Sequence, residues 1–366
     1  MSKLRRVEDK LAHIQATLDG GAEVAGSRAG ALTLADLRFL PKALPEVDLG
    51  AVNLRTSFLG KVIAAPFMVA PMTGGIAQGG ELNRRMAAAA EAHQLPFGVG
   101  SQRVALEDPA CRASFEVRSV APTIPILANL GAIQLTQGYG AEEALRAVEM
   151  VEGDGLYLHL NAMQEVVQEG GDVSWSGVLS QIERLCTSLH RVHPSLPVLA
   201  REVGFGLAAD DVTRLRSAGV QGLDCAGAGG TSWTLVEGRV AKSDAHRQLG
   251  DVFAAWGLTT PEAILEARSV DRDMLLISSG GIRSGLDVAK CVGLGADVAG
   301  IASPVLSAAH QSEAEVHAYL EQTMRELRAV LFGVGAPDVA AFQRLPRLFG
   351  PARRLPSEQV WPSGRA

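Results

Sequence analysis

The stretch MLLISSGGIRSGLDVAKCVGLGADVAGIASP (274–304) decides how the chain is read. An unbroken apolar run ends in Gly280-Gly281, a helical segment follows over 284–295, and a second apolar run ends in Ala302-Ser303. Apolar strands without alternation are what a parallel sheet covered on both faces requires. Paired glycines opening into a helix leave backbone N–H groups and the positive end of the helix dipole facing an anion. Two such loops after consecutive strands form a phosphate cup, as after the seventh and eighth strands of a (β/α)8 barrel.

Working outward, the same rhythm repeats. Apolar runs stand at 65–72, 96–101, 125–131, 155–161, 197–204, 221–227, 274–281 and 298–304. Helical segments are expected at 81–93, 141–152, 178–190, 260–268, 284–295 and 312–333. Eight strands alternating with helices predict an α/β protein of the (β/α)8 TIM-barrel class, with a doubly wound open sheet as the competitor. The barrel is expected over 61–335, after an N-terminal extension (1–60) and before a C-terminal tail (336–366), with no linker dividing it. Forty glycines in 366 residues exceed the usual ~7% and suit tight turns and backbone close to a ligand.

Composition narrows the function. A hydrophobic content of 47% with 20% charged residues supports a large core, not disorder. The net charge of −6 and the lack of a basic block argue against nucleic acid as a partner. Four scattered cysteines form no CxxC pair, fit a reducing compartment and read as core. No apolar run is long enough to span a bilayer, and the charged N-terminus is unlike a signal peptide. A soluble, cytoplasmic protein with no membrane partner is expected.

Polar residues cluster where the strands end. Met72-Thr73 follows the first, Ser101 and Arg103 the second, Asn129 closes the third, and His159 and Asn161 the fourth. Arg201 interrupts the fifth, where a charge is costly unless paired or used. Its pairing with Glu202 is not expected, because strand neighbours face opposite sides; a functional cation and an ion pair with another element both remain open. AGAGGTSW (226–233) is a second glycine cradle, with Thr231 and Ser232 as hydroxyl donors and no P-loop lysine. In HLNAMQEVVQEGGD (159–172), His159 and Asn161 share one side of a strand, and Gln164 and Glu165 follow its end. Glu165 beside a phosphate cup is a candidate for Mg²⁺, which takes few carboxylates and shares phosphate oxygens; a solvated loop glutamate is the plainer reading. Lys10 and His13 share a helix face and either meet an anion or stand in solvent. Trp233 and Trp256 are expected in packing.

APMTGG, VGSQR, ANLGA, HLNAMQE, REVGFG, AGAGGTSW, SSGGIRSGLDVAK and LGADVAGIASP together resemble the type II isopentenyl-diphosphate isomerases, over roughly residues 5 to 335. That resemblance implies an FMN-binding barrel that interconverts isopentenyl and dimethylallyl diphosphates, with NADPH as reductant, Mg²⁺, and a homo-oligomer (tetramer or octamer). It implies FMN contacts at Pro71, Met72, Thr73, Ser101, Asn129, Arg201, Thr231, Gly280, Gly281, Ile282, Ala302 and Ser303. Gln164 and His159 would be catalytic. Lys10, His13, Ser101, Arg103, Asn161 and Gln164 would bind the substrate, and Glu165 the metal. The N-terminal extension would contribute to an active-site lid. Two positions depart from the family pattern: Asp9 stands where an arginine is usual, leaving Arg5 or Arg6 as substitutes, and Arg201 stands where a lysine is usual. The alternatives are an FMN-dependent oxidoreductase of a small hydroxy acid, disfavoured because DCAGAGG carries no histidine, or a non-catalytic flavin-binding paralogue.

Overall fold

The computed structural model describes residues 3–20, 22–24, 31–345 and 348–349, with side chains for all of these except 3–10, 348 and 349. Eight parallel strands close into a barrel: β1 (Phe67–Val69), β2 (Phe97–Gly98), β3 (Ile126–Gly131), β4 (Gly155–Leu160), β5 (Val198–Glu202), β6 (Gly222–Asp224), β7 (Leu275–Ser279) and β8 (Val298–Ile301). Each lies within one of the eight expected runs. Closure is made by β8 pairing with β1, with Ala299 opposite Phe67 and Ile301 opposite Val69. The open-sheet alternative is excluded.

The strands sort their side chains between two cores, as a period of two demands. Met68, Leu127, Tyr157, Leu199, Ile277 and Val298 form one buried cluster inside the barrel. Their neighbours Phe67, Val69, Ile126, Ala128, Leu156 and Val198 belong to a second cluster shared with the surrounding helices. The inner cluster also takes in Phe58 and Ile63, which sit on a short hairpin, Thr56–Phe58 with Lys61–Ile63. Its two-residue turn puts Leu59 at φ 48° and Gly60 at φ 77°, the pair of positive values that a hairpin twist favours. The hairpin thus seals the barrel with apolar side chains and leaves the opposite end for chemistry.

The six expected helices form, at Ala77–Ala92, Ala141–Val151, Val178–Val192, Thr260–Val270, Gly285–Leu294 and Glu313–Val334. Four more of eight or nine residues were not anticipated: Ala209–Ser217, Trp233–Val240, Asp244–Val252 and Ser303–Gln311. They are short, and the first buries only Val212 and Leu215, so their apolar faces are too brief to show a period. Beyond the long helix, Asp338 caps Val339–Gln343 by accepting the Ala341 N–H. Phe342 is buried there and meets Phe39 at 5.5 Å between ring centroids. The rest of the expected tail, 346–347 and 350–366, lies outside the described residues.

Candidate active site

A cavity of about 530 Å³ opens where the strands end, within the size range of cofactor and ligand sites. Every barrel strand sends residues to it, from Pro71–Thr73 after β1 round to Ala302 and Ser303 after β8. All the expected flavin contacts line it: Pro71, Met72, Thr73, Ser101, Asn129, Arg201, Thr231, Gly280, Gly281, Ile282, Ala302 and Ser303. So do His13, Arg103, His159, Asn161, Gln164 and Glu165. Lys10 belongs to the helix Lys3–Leu18, but its side chain, like those of Arg5, Arg6 and Asp9, lies outside the described residues.

The floor of the site is held by buried amides. Gln102 accepts the Asn129 N–H (2.8 Å) and donates to the Ala147 carbonyl (2.8 Å). Asn129 donates from Nδ2 to the Val99 carbonyl (3.1 Å), which turns its Oδ1 toward His159 Nδ1 at 2.8 Å. A neutral His159 ring therefore carries its proton on Nδ1. Room for the ring comes from Gly131, where a Cβ would stand 2.9 Å from His159 Nε2 and 2.0 Å from Gln134 Oε1.

Arg201 is an ion pair with another element. Its Nε lies 3.2 Å from Asp224 Oδ2, on the neighbouring strand directly opposite in register. The pair is angled outside hydrogen-bond geometry, so both atoms lack a hydrogen-bond partner among the described residues. Nη1 donates to the Pro71 carbonyl (3.2 Å), and the guanidinium carbon sits 5.8 Å from the Tyr157 ring centre. Asp224 is fully buried and accepts the Ser279 hydroxyl (2.8 Å) and the Ala226 N–H (3.2 Å). Burial raises its pKa, against the pull of Arg201.

At the cup, the backbone loops approach too closely for side chains. A Cβ on Gly280, which has φ 103°, would stand 1.9 Å from the Gly227 carbonyl oxygen. Two residues overlooked in the sequence reach this cup. Glu23 accepts the Ser303 hydroxyl (3.0 Å) with one oxygen and meets Arg283 Nη2 at 2.9 Å with the other. Arg283 stands inside the quoted glycine motif, and its charge there was the available signal; Glu23 stands in no motif.

At the outer wall, Gln164 donates to Glu237 Oε1 (2.7 Å), and Glu237 Oε2 lies 3.3 Å from His13 Nε2. Glu237 is only 2% exposed and was missed, because nothing in WTLVEGRV marks one glutamate as aimed inward. Trp233 lines the cavity and meets the His13 ring edge-on at 5.9 Å, whereas Trp256, half exposed and away from the cavity, packs edge-on against Phe253 at 5.6 Å.

Glu165 is buried at the start of the helix Ala162–Val167. One oxygen accepts the Asn161 amide (2.8 Å) and the other the Asp172 N–H (2.6 Å). Burial raises its pKa, opposed by those hydrogen bonds. With Asn161 Nδ2 fixed on Glu165, Asn161 Oδ1 is left buried without a hydrogen-bond partner among the described residues. An orphaned amide oxygen beside a carboxylate is a donor set that suits a hard cation. No cluster of three or more His, Cys, Asp or Glu that could hold a metal occurs among the described residues. Any cation here would therefore complete its shell from a ligand and water. Arg103 completes the wall, 3.2 Å from Asp172 Oδ2 and 3.8 Å from Glu107 Oε1.

A closed parallel barrel whose strand ends open on one polar cavity, with glycine loops after β6 and β7, defines a (β/α)8 barrel with a ligand site at its C-terminal mouth. Residues 9–115 and 181–345 match the family described as FMN-dependent dehydrogenase, and the chain belongs to that family. Its curated relatives include isopentenyl-diphosphate delta-isomerases from Nostoc sp. (43% identical, covering 89% of this chain and 91% of that one) and Synechococcus sp. (44%, 92% and 94%). The enzyme of that name from Xanthobacter autotrophicus is 44% identical over 93% of this chain and 96% of its own. Solved structures of mandelate oxidase, one with benzoyl-formic acid, share the fold at a TM-score of 0.62 and 20% identity, covering 94% of this chain and 98% of that one. The family match skips 116–180, the segment that holds Asn129, His159, Asn161, Gln164 and Glu165.

Proposed function

We propose that this chain is an isopentenyl-diphosphate delta-isomerase, interconverting isopentenyl and dimethylallyl diphosphates. The observation that carries the reading is the joining of Gln164, Glu237 and His13 beside Glu165; Gln164 and Glu165 stand in a segment that the wider dehydrogenase family match does not include. The reaction adds a proton to the terminal alkene carbon and removes one from the allylic carbon, leaving the diphosphate untouched. It therefore needs proton-handling groups against an apolar chain and cations at the other end.

FMN fits the cavity by its size, its glycine cradles and its hydroxyl-lined cup, with Pro71–Thr73, Ser101, Asn129, Arg201, Thr231, Gly280–Ile282, Ala302 and Ser303 as its contacts. Reduced FMN, when bound, would supply a proton-exchanging ring close to the five-carbon chain, and NADPH is the proposed reductant. Gln164 lies over the alkene, its amide oriented by Glu237. Ser101, Arg103 and His159 face the diphosphate, joined by His13 and Lys10 from the N-terminal helix, which acts as part of a lid. Glu165, with Asn161 Oδ1, would hold Mg²⁺ against the diphosphate oxygens. A homo-oligomer in the cytoplasm completes the proposal, consistent with the absence of any membrane-crossing helix among the described residues.

Proton NMR of isopentenyl diphosphate in D₂O tests this reading. Deuterium should enter both the isopentenyl and the dimethylallyl diphosphate with the native protein. Glu165→Gln should keep FMN bound while losing the response to Mg²⁺. An unchanged Mg²⁺ response in that variant would overturn the metal assignment, and no exchange at all would overturn the isomerase.

A further inference from the structure

Asp172 touches two parts of the site at once. Its backbone N–H donates to Glu165 Oε2 at 2.6 Å, and its side-chain Oδ2 lies 3.2 Å from Arg103 Nη1. The turn that carries it is pressed onto the Glu165 helix: a Cβ on Gly171 would stand 2.1 Å from the Glu165 carbonyl oxygen and 2.9 Å from Glu165 Oε2. Trp175 fixes the far side by donating its indole N–H to the Asp172 carbonyl (2.9 Å). Arg103 in turn stands between two carboxylates, Asp172 and, at 3.8 Å, Glu107.

We propose that Asp172 is a positioning residue that couples the cation arm, Glu165, to the diphosphate arm, Arg103. The inference rests on the reading that the substrate is a diphosphate bound with a divalent cation. One guanidinium faces two acids here, with a third buried carboxylate tied to the same turn, so the wall is rich in negative charge before substrate arrives. A cation at Glu165 offsets that excess. A guanidinium has five N–H donors in a fixed fork, so Arg103 can keep one edge on Asp172 and turn the other to the diphosphate. Asp172 thereby sets the aim of Arg103 and the local charge felt by the cation together.

Asp172→Asn tests this cleanly, because it keeps the backbone N–H that holds Glu165 and removes only the side-chain charge. The full-length protein with reduced FMN is assayed for the KM of isopentenyl diphosphate across a range of Mg²⁺ concentrations. The expected result is a KM raised about 10-fold at low Mg²⁺ and largely recovered at high Mg²⁺, the scale usual for outer partners of a metal ligand. kcat at saturation should stay within about threefold, since the lost contact is made equally in ground and transition states. FMN affinity should not change, and Asp172→Glu should restore part of the Mg²⁺ response. A KM that rises by the same factor at every Mg²⁺ concentration, or does not rise, would overturn the coupling. Calorimetric titration with pyrophosphate, with and without Mg²⁺, reads the same coupling without turnover. Native protein that binds Mg²⁺ and pyrophosphate cooperatively but turns nothing over would sink the isomerase reading and leave the coupling standing; independent binding in the native protein would sink the coupling.

Discussion

Gln164 and the buried Glu237 share a 2.7 Å hydrogen bond, and the second oxygen of that carboxylate lies 3.3 Å from His13. The carboxylate accepts only, so the Gln164 amide must present its N–H₂ to Glu237 and leave its oxygen toward Asn161, 3.3 Å away. Glu237→Gln removes that constraint and the charge. Turnover should fall roughly 100-fold, the low end of what a positioned proton-handling group contributes, with FMN still bound. Activity within threefold of native, with flavin absorbance retained, would show that the orientation of Gln164 is not set this way.

The Arg201–Asp224 pair is buried on adjacent strands beneath the site. Asp224→Asn leaves the guanidinium without its counter-charge, and urea unfolding should show a loss of about 3–5 kcal/mol. Replacing both residues with neutral ones should cost less than the sum of the single changes. Strict additivity would mean that the two charges do not interact.

Glu23 lies on Ser303 and Arg283, at the cup assigned to the FMN phosphate. A carboxylate there opposes a phosphate of like charge. Glu23→Gln should tighten FMN binding to the apoprotein about fivefold, read by quenching of flavin fluorescence at low salt. Weaker binding would show that Glu23 serves only to orient Ser303 and Arg283.

Burial raises the Glu202 carboxyl to about 8, despite accepting the Gly204 (2.7 Å) and Phe205 (2.5 Å) N–H groups. Its folded pKa is thus above that of the unfolded chain, so the native state binds the extra proton between those two values. Stability should fall as the pH rises through that window, from the ordinary glutamate range to about 8. Glu202→Gln should remove this slope and raise the melting temperature above native at pH values near the upper end. An identical pH profile for both proteins would contradict the shift.

The barrel was legible because its strands are apolar without interruption and their polar residues gather at one end. The candidate site was legible as far as its residues stand on strand ends or in glycine loops, as Asn129, His159 and Gly280 do. Glu237 and Glu23 were not, since each reaches the site through tertiary packing that leaves no trace in local spacing. The hairpin at 56–63 was hidden because its turn is Leu59-Gly60, without the asparagine or aspartate that signals such turns. The charge of Arg201 was seen, but its partner Asp224 is 23 positions away along the chain and opposite only once β5 and β6 pair.

The central claim is tested most directly by an anaerobic assay of the purified protein with FMN, NADPH, Mg²⁺ and isopentenyl diphosphate. The account predicts dimethylallyl diphosphate as product, formed only while the flavin is kept reduced and without net consumption of NADPH. FMN bound and reduced with no product would contradict it and return the oxidoreductase or the non-catalytic flavoprotein as the reading.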